Sequence, residues 1–340
     1  MKRPSGRLVG RVALVVVFVS VIAAFALWAF PSPDYLFLPN PAQPLKGLVT
    51  VQGAHPRPDN GGIYYLDVTE RKASWLERLF SFTRPEGASL VPPGDVVPSG
   101  SSFSAEHQQD LADMQRSQQV AAAVALKQAG LDVVTRPTGV LVEGVYVNVP
   151  AAKVLRTGDV IVGVDGHPVL RLQELRTRIE AHRPGDLVAL RILRDGRQMS
   201  IATKTVADPT DPAHALVGVR VTQNAKITLP LKVQIDLGNV GGPSAGLPFA
   251  LDVLELLGHD IDHGYRVAAT GELELDGTVG EIGGMEQKTF GARQAGVDVL
   301  LVPAGENATE AKRYAGSLKV IPVESFQQAL RALATLPPKG

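Results

Sequence analysis

A serine hydroxyl is a weak nucleophile until a base removes its proton. One serine of this 340-residue chain sits where the backbone would favour such use. Ser244 lies in Asn239-Val240-Gly241-Gly242-Pro243-Ser244-Ala245-Gly246. Residues 231–237 before it alternate apolar and polar side chains, which predicts a strand. Residues 247–257 after it carry apolar positions at helical spacing and stop at Gly258. Ser244 is therefore expected on a glycine-rich turn between strand and helix. Glycines let the backbone approach a substrate closely. Unpaired amides at the helix start, here those of Gly242, Ser244 and Ala245, could hold an oxyanion.

Histidine is the usual base for such a serine, but the last one is His263, and none follows in the remaining 77 residues. Four lysines follow Ser244: Lys288, Lys312, Lys319 and Lys339. Lys288 stands out by its surroundings. Residues 270–284 read as a strand, an Asp276-Gly277 turn and a second strand. Residues 285–295 read as a short helix closed by Gly296, with Lys288 near its start. The positive end of the helix dipole and burial both favour the neutral amine. Starting from about 10.4, neutrality near pH 7 needs a drop of several units, each worth roughly 1.4 kcal/mol. Only a closed, desolvated site could supply that.

Taken together, Gly242-Pro243-Ser244-Ala245-Gly246, Thr270-Gly271-Glu272, Gly277, Val279, Ile282-Gly283-Gly284 and Lys288 resemble the proteolytic domain of the Lon protease family. The resemblance covers residues 213–337. It implies a Ser–Lys dyad with Ser244 as nucleophile, Lys288 as general base and the Thr270 hydroxyl orienting the lysine. It implies no cofactor and no metal, and it suggests a homo-oligomeric ring. One departure concerns Gly241, where many members carry an acidic residue.

Residues 137–206 resemble a PDZ domain of the kind attached to bacterial envelope proteases. The matching pieces are Gly139-Val140-Leu141-Val142-Glu143-Gly144-Val145, Pro150-Ala151-Ala152 and the run from Thr157-Gly158-Asp159 to Asp165-Gly166. Such a domain binds extended peptides at a sheet edge; a domain that only positions the catalytic unit is the alternative. Residues 207–212 read as a linker.

The N-terminus addresses location. Residues 1–11 hold Lys2, Arg3, Arg7 and Arg11 and no acid, and residues 12–30 carry no charge. That length can cross a bilayer, and the basic flank would stay cytoplasmic. The expectation is an uncleaved anchor with the catalytic region outside a bacterial cell membrane; a cleaved signal peptide competes with it. Residues 31–136 are read as an extracytoplasmic segment. Within it, 31–45 are a proline-rich spacer, 48–51 and 63–68 strands paired with later domains, and 84–103 a mobile loop. Residues 73–82 are read as a helix packing Trp75, Leu76, Leu79 and Phe80 into a core rather than onto a membrane, and 104–129 as a long structural helix.

The fold class is thus α+β or α/β multidomain: a transmembrane helix, a β-rich PDZ-like domain and a C-terminal Lon-type proteolytic domain. Zero net charge gives no reason to expect nucleic acid. The lack of cysteine excludes disulfides and thiolate-held metals. His259-Asp260-Ile261-Asp262-His263 reads as a polar turn rather than a metal cluster. The pattern Gly242-x-Ser244-x-Gly246 also fits a hydrolase nucleophile elbow, but that fold needs an acid and then a histidine further along, and no histidine is available beyond His263. No phosphate-binding G-x-x-x-x-G-K-[ST] occurs. The reading is an ATP-independent endopeptidase acting on extracytoplasmic proteins or peptides. A catalytically silent PDZ scaffold is the alternative, and self-cleavage a third expectation.

Overall fold

The computed structural model describes residues 6–55, 61–96, 103–337 and 339, without the side chains of 6–13, 103 and 105. Residues 1–5 of the expected basic tail and 97–102 of the expected mobile loop lie outside the described residues.

The chain opens with helix α1 (Gly6–Ala29). Among its described side chains Ser20 is the one polar residue, and Leu14, Phe18, Phe25 and Trp28 are each more than 60% exposed. Among the described residues no helix is long and apolar enough to cross a membrane. The span expected at 12–30 begins in side chains outside the description.

Next come β1 (Pro31–Pro39), β2 (Gln43–Pro44), β3 (Val49–Val51), β4 (Gly62–Tyr65), β5 (Val68–Ser74), α2 (Trp75–Leu79), β6 (Ser89–Val91), α3 (Pro93–Val96) and the long α4 (Phe103–Gln128). Strands β5-β1-β6 form an antiparallel sheet in which Tyr35 faces both Lys72 and Val91. This corrects the spacer expected at 31–45: the stretch is extended, but Tyr35 and Leu36 are buried. Its prolines fall at the strand ends or in the register shift between Pro31 and Tyr35, where a missing N–H breaks no ladder. The loop expected at 84–103 likewise contains β6 and α3.

Helix α2 is a single capped turn. Ser74 and Glu77 form its capping box, and Arg71 holds Glu77 at 2.6 Å. Because the helix stops at Leu79, the apolar face expected over 73–82 never forms. Trp75, Leu79, Phe80 and Phe82 are exposed, which corrects the core-packing expectation.

The PDZ-like part holds β7 (Val134–Val145), β8 (Val160–Val164), β9 (His167–Pro168), α5 (Leu172–Glu180), β10 (Leu187–Arg194) and β11 (Arg197–Lys204). Asp195 and Gly196 take φ of 50° and 72°, as the tight hairpin between β10 and β11 demands. Val142, Ile161, Leu175, Leu190 and Ile192 belong to its separate core.

The rest comprises β12 (Val206–Ala207), β13 (Ala215–Leu216), β14 (Val219–Thr228), β15 (Val233–Ile235), α6 (Gly246–Leu256), β16 (Arg266–Ala269), β17 (Glu272–Leu273), β18 (Val279–Gly280), α7 (Met285–Ala295), β19 (Val299–Pro303), α8 (Glu306–Tyr314), β20 (Lys319–Val323) and α9 (Phe326–Ala334). Strand β14 pairs along the whole of β7 and closes the sheet β11-β10-β8-β7-β14. A boundary at 213 therefore separates β14 from the sheet it completes.

The second large sheet runs β2-β4-β16-β19-β20, with β4, β16, β19 and β20 parallel. As expected, strands from the N-terminal segment pair with the later region: β4 with β16, and β3 with β15. Val267, Ala269, Val299 and Leu301 share a core with α4, α6 and α9, whereas Ala268, Leu300 and Val302 share one with α7 and α8. Alternation of this kind marks a parallel sheet covered on both faces. Helices α6 and α7 lie on opposite faces and both start at the carboxyl end of the sheet. Residues from the two can meet over those strand ends.

Candidate active site

Ser244 lies in a 3-10 turn, Pro243–Ala245, entered through Gly242 at φ 86° and ψ 153°. Only glycine adopts that backbone easily. The turn feeds α6, whose residues from Gly246 to Glu255 are all buried, so the serine rests on a fixed base. Ser244 itself is half-buried. Its carbonyl is the anchor point, accepting from Thr270 Oγ1 at 3.1 Å and from the Gly271 N–H at 2.8 Å. Thr270 is fully buried, one residue past the end of β16. The structure thus brings Thr270 to Ser244. Its hydroxyl donates to the serine carbonyl, which leaves the oxygen lone pairs as acceptors.

Helix α4 holds the other side of the turn. The Gly242 N–H donates to the Asp110 carbonyl at 2.8 Å, and Ser117 Oγ donates to the Pro243 carbonyl at 2.9 Å. The first bond engages the Gly242 amide, which was expected among the oxyanion donors. The Gly241 departure also finds its reason here. A Cβ on Gly241 would lie 2.6 Å from the Asp110 Cβ, so the close approach of α4 leaves no room for an acidic side chain.

Lys288 sits in the first turn of α7 and donates its N–H to the Gly284 carbonyl at 2.9 Å. Gly284 caps the helix in the left-handed region at φ 68°. The Lys288 side chain is buried, with the residue 5% exposed. Burial pushes the amine down from 10.5 to about 8, against the opposing pull of Asp67. Among the described residues no hydrogen bond joins the Ser244 hydroxyl to the Lys288 amine. Such contacts are often long in a free enzyme and tighten around substrate.

Sequence reading missed Asp67, Asp110 and Ser117, which lie far upstream and carry no local motif. It also missed a network just past Thr270. Arg116 Nη1 donates to Glu143 Oε1 at 3.0 Å and its Nη2 to Thr222 Oγ1 at 2.9 Å, while Thr222 Oγ1 donates to Glu274 Oε2 at 2.5 Å. The carboxylates of Glu143, Glu272 and Glu274 crowd within 4.8 Å of one another. Burial first, then the charges of Glu143 and Glu274, raise Glu272 to about 8. Around 259–263, Glu255 Oε1 accepts the N–H groups of Ile261 and Asp262 at 2.6 Å, so the stretch is bonded as a turn.

Residues 228–335 match the Lon protease (S16) C-terminal proteolytic domain, and residues 114–205 match the PDZ domain. "Lon protease 2" of Bacillus subtilis is 33% identical over 99 residues, 29% of this chain and 18% of the relative. "Lon protease homolog, mitochondrial" of Emericella nidulans is 45% identical over 64 residues, 18% of this chain and 6% of the relative. This chain thus spans less than a fifth of the length of either. The PDZ domain of the SdrC-like protein (Lmo2051) from Listeria monocytogenes is 30% identical, covering 24% of this chain and 86% of that one at a TM-score of 0.23. Within the chain, residues 228–335 are thus similar to the Lon protease (S16) C-terminal proteolytic domain and residues 114–205 to a PDZ domain.

Proposed function

We propose that the protein is an endopeptidase in which Ser244 is the nucleophile and Lys288 the general base. Neutral Nζ of Lys288 takes the Ser244 proton as Oγ bonds to a peptide carbonyl carbon, whose oxygen gains the charge. With Gly242 engaged, the amides of Ser244 and Ala245 at the start of α6 hold that oxyanion. Collapse breaks the C–N bond, and the lysine ammonium returns its proton to the leaving amine. A water molecule, deprotonated by the same lysine, then hydrolyses the acyl-enzyme. The observation that supports the reading is a lysine 5% exposed in the first turn of α7, with burial pushing its amine down to about 8, in a chain whose serine turn is fixed by the Thr270 hydroxyl. Replacing either Ser244 or Lys288 by Ala is expected to abolish hydrolysis of an unfolded protein such as casein, with the fold retained by circular dichroism. Wild-type cleavage by either variant would refute the dyad.

The chain holds no nucleotide-binding phosphate loop, so the peptidase acts without ATP, on extended or presented segments of protein. The PDZ domain captures such segments by strand addition. Helix α1 anchors the protein in a bacterial cell membrane with the catalytic domain outside. Two features support that anchor: the uncharged and largely apolar run of α1 over residues 14–29, and the exposed aromatic cluster of Trp75, Phe80 and Phe82 beside its end, where the Trp75 N–H donates to the Phe30 carbonyl at 3.2 Å. Aromatic residues favour that interfacial level. Carbonate extraction of membranes is expected to leave the full chain in the pellet; release of a full-length protein would remove the anchor and leave the dyad untouched.

A further inference from the structure

The N-terminal segment packs along α7, the helix that carries Lys288. The Ala42 N–H donates to the Gly291 carbonyl on α7 at 3.0 Å, and the Asn40 carbonyl lies so close to Gly291 that no side chain fits there. Leu66 touches the same glycine, and Val68 Cγ2 lies 3.0 Å from where a Cβ on Gly284 would be. Gln287 Nε2 donates to the Gly87 carbonyl at 3.0 Å and to Ser89 Oγ at 2.9 Å. Between Leu66 and Val68, both against α7, stands Asp67. Its Oδ2 accepts from Asn40 Nδ2 at 3.0 Å, while its Oδ1 is buried with no hydrogen-bond partner. An orphaned buried carboxylate oxygen calls for a function.

Two titratable groups feel its charge, Lys288 on α7 and Tyr65 of β4, whose phenol is raised by burial first and then by Asp67. Asp67 is the charge that opposes the effect of burial on that amine. The other carboxylates nearby are directed elsewhere. Glu286 on α7 faces Glu310 and Arg313 of α8, and Glu70 on β5 faces Asp110 and His107 of α4. We propose that Asp67 is a positioning residue of the dyad, its carboxylate holding the lysine ammonium that forms when Ser244 gives up its proton. The open oxygen is the acceptor kept for that charge. Preorganised opposite charge is worth most in a dry site, where it need not be recruited during the reaction. This inference rests on the Ser–Lys reading above.

The test is the pH profile of kcat/KM for a fluorogenic peptide, measured on the full chain in detergent beside its Asp67→Asn and Asp67→Glu variants. Without the carboxylate the ammonium loses its partner. The acid limb of Asp67→Asn is then expected to move to lower pH by roughly one unit, with kcat at the plateau down about tenfold and KM unchanged. Asp67→Glu is expected to return the limb towards the parental position. A purely structural role would reduce activity in step with thermal stability and leave the limb in place. A limb in Asp67→Asn that coincides with the parental one overturns the proposal. Ser244→Ala and Lys288→Ala run alongside: activity in either refutes the dyad itself, and this inference falls with it. Inactive dyad variants together with an unmoved Asp67→Asn limb refute only the role of Asp67.

Discussion

Lys288 joins two facts that rarely coexist, a charged residue type and near-complete burial. With its pKa near 8, about one lysine in ten is neutral at pH 7. Hydrolysis is therefore expected to rise about tenfold per pH unit below 8 and to level off above it, read as kcat/KM against pH. A flat profile between pH 6 and 8 would exclude Lys288 as the base. The same shift acts on stability. The folded state binds fewer protons than the unfolded state between about 8 and 10.5, so Lys288 makes stability rise with pH across that window. The Thr270 hydroxyl contributes through a single hydrogen bond. Thr270→Val removes the 3.1 Å bond to the Ser244 carbonyl; it is expected to destabilise by about 1 kcal/mol and to lower kcat, with Thr270→Ser restoring both. Thermal unfolding and steady-state rates check this together.

Among the elements, α4 does most to hold the serine turn, through Asp110 and Ser117. Gly241→Ala would drive a methyl group into the Asp110 Cβ. It is expected to destabilise by about 1–3 kcal/mol and to loosen the turn, with activity falling further than stability. A shift in denaturant midpoint without loss of activity would contradict that coupling. The elements carrying the dyad were legible in the sequence because their signals are local. Apolar spacing and Gly258 marked α6, Asp276-Gly277 marked the β17–β18 turn, and α7 runs over the expected 285–295. The partners of those elements were not legible. Pairing of β14 with β7 and of β4 with β16 joins segments far apart in the chain, and no local pattern records it. Asp67 and Asp110 reach the site the same way, by packing. The 73–82 face misled because periodicity reports which residues could share a side, not where Leu79 ends the helix.

At the scale of the whole molecule, the PDZ domain, α4 and the peptidase domain meet at one acidic junction. Glu143 comes from β7, Arg116 from α4, Thr222 from β14, and Glu272 and Glu274 lie beyond the Thr270 anchor. Glu272 is raised in the folded state from 4.5 to about 8. Its contribution to stability is therefore complete below about 4.5 and is lost as pH rises towards 8. Glu272→Gln keeps the neutral form at every pH. It is expected to flatten the fall in denaturant midpoint between pH 5 and 8 and to be more stable than the parent at pH 8. An unchanged slope would mean that this carboxyl does not titrate with folding.

The central claim is that Ser244 is activated by Lys288 and by no other group. It is tested most directly by the rate at which a fluorophosphonate labels the protein, located by mass spectrometry and followed from pH 6 to 10. The adduct is expected on Ser244, forming faster through pH 8 in the parent and not at all in Lys288→Ala. Labelling of Lys288→Ala at the parental rate, or a parent protein whose Ser244 never reacts, would contradict the account.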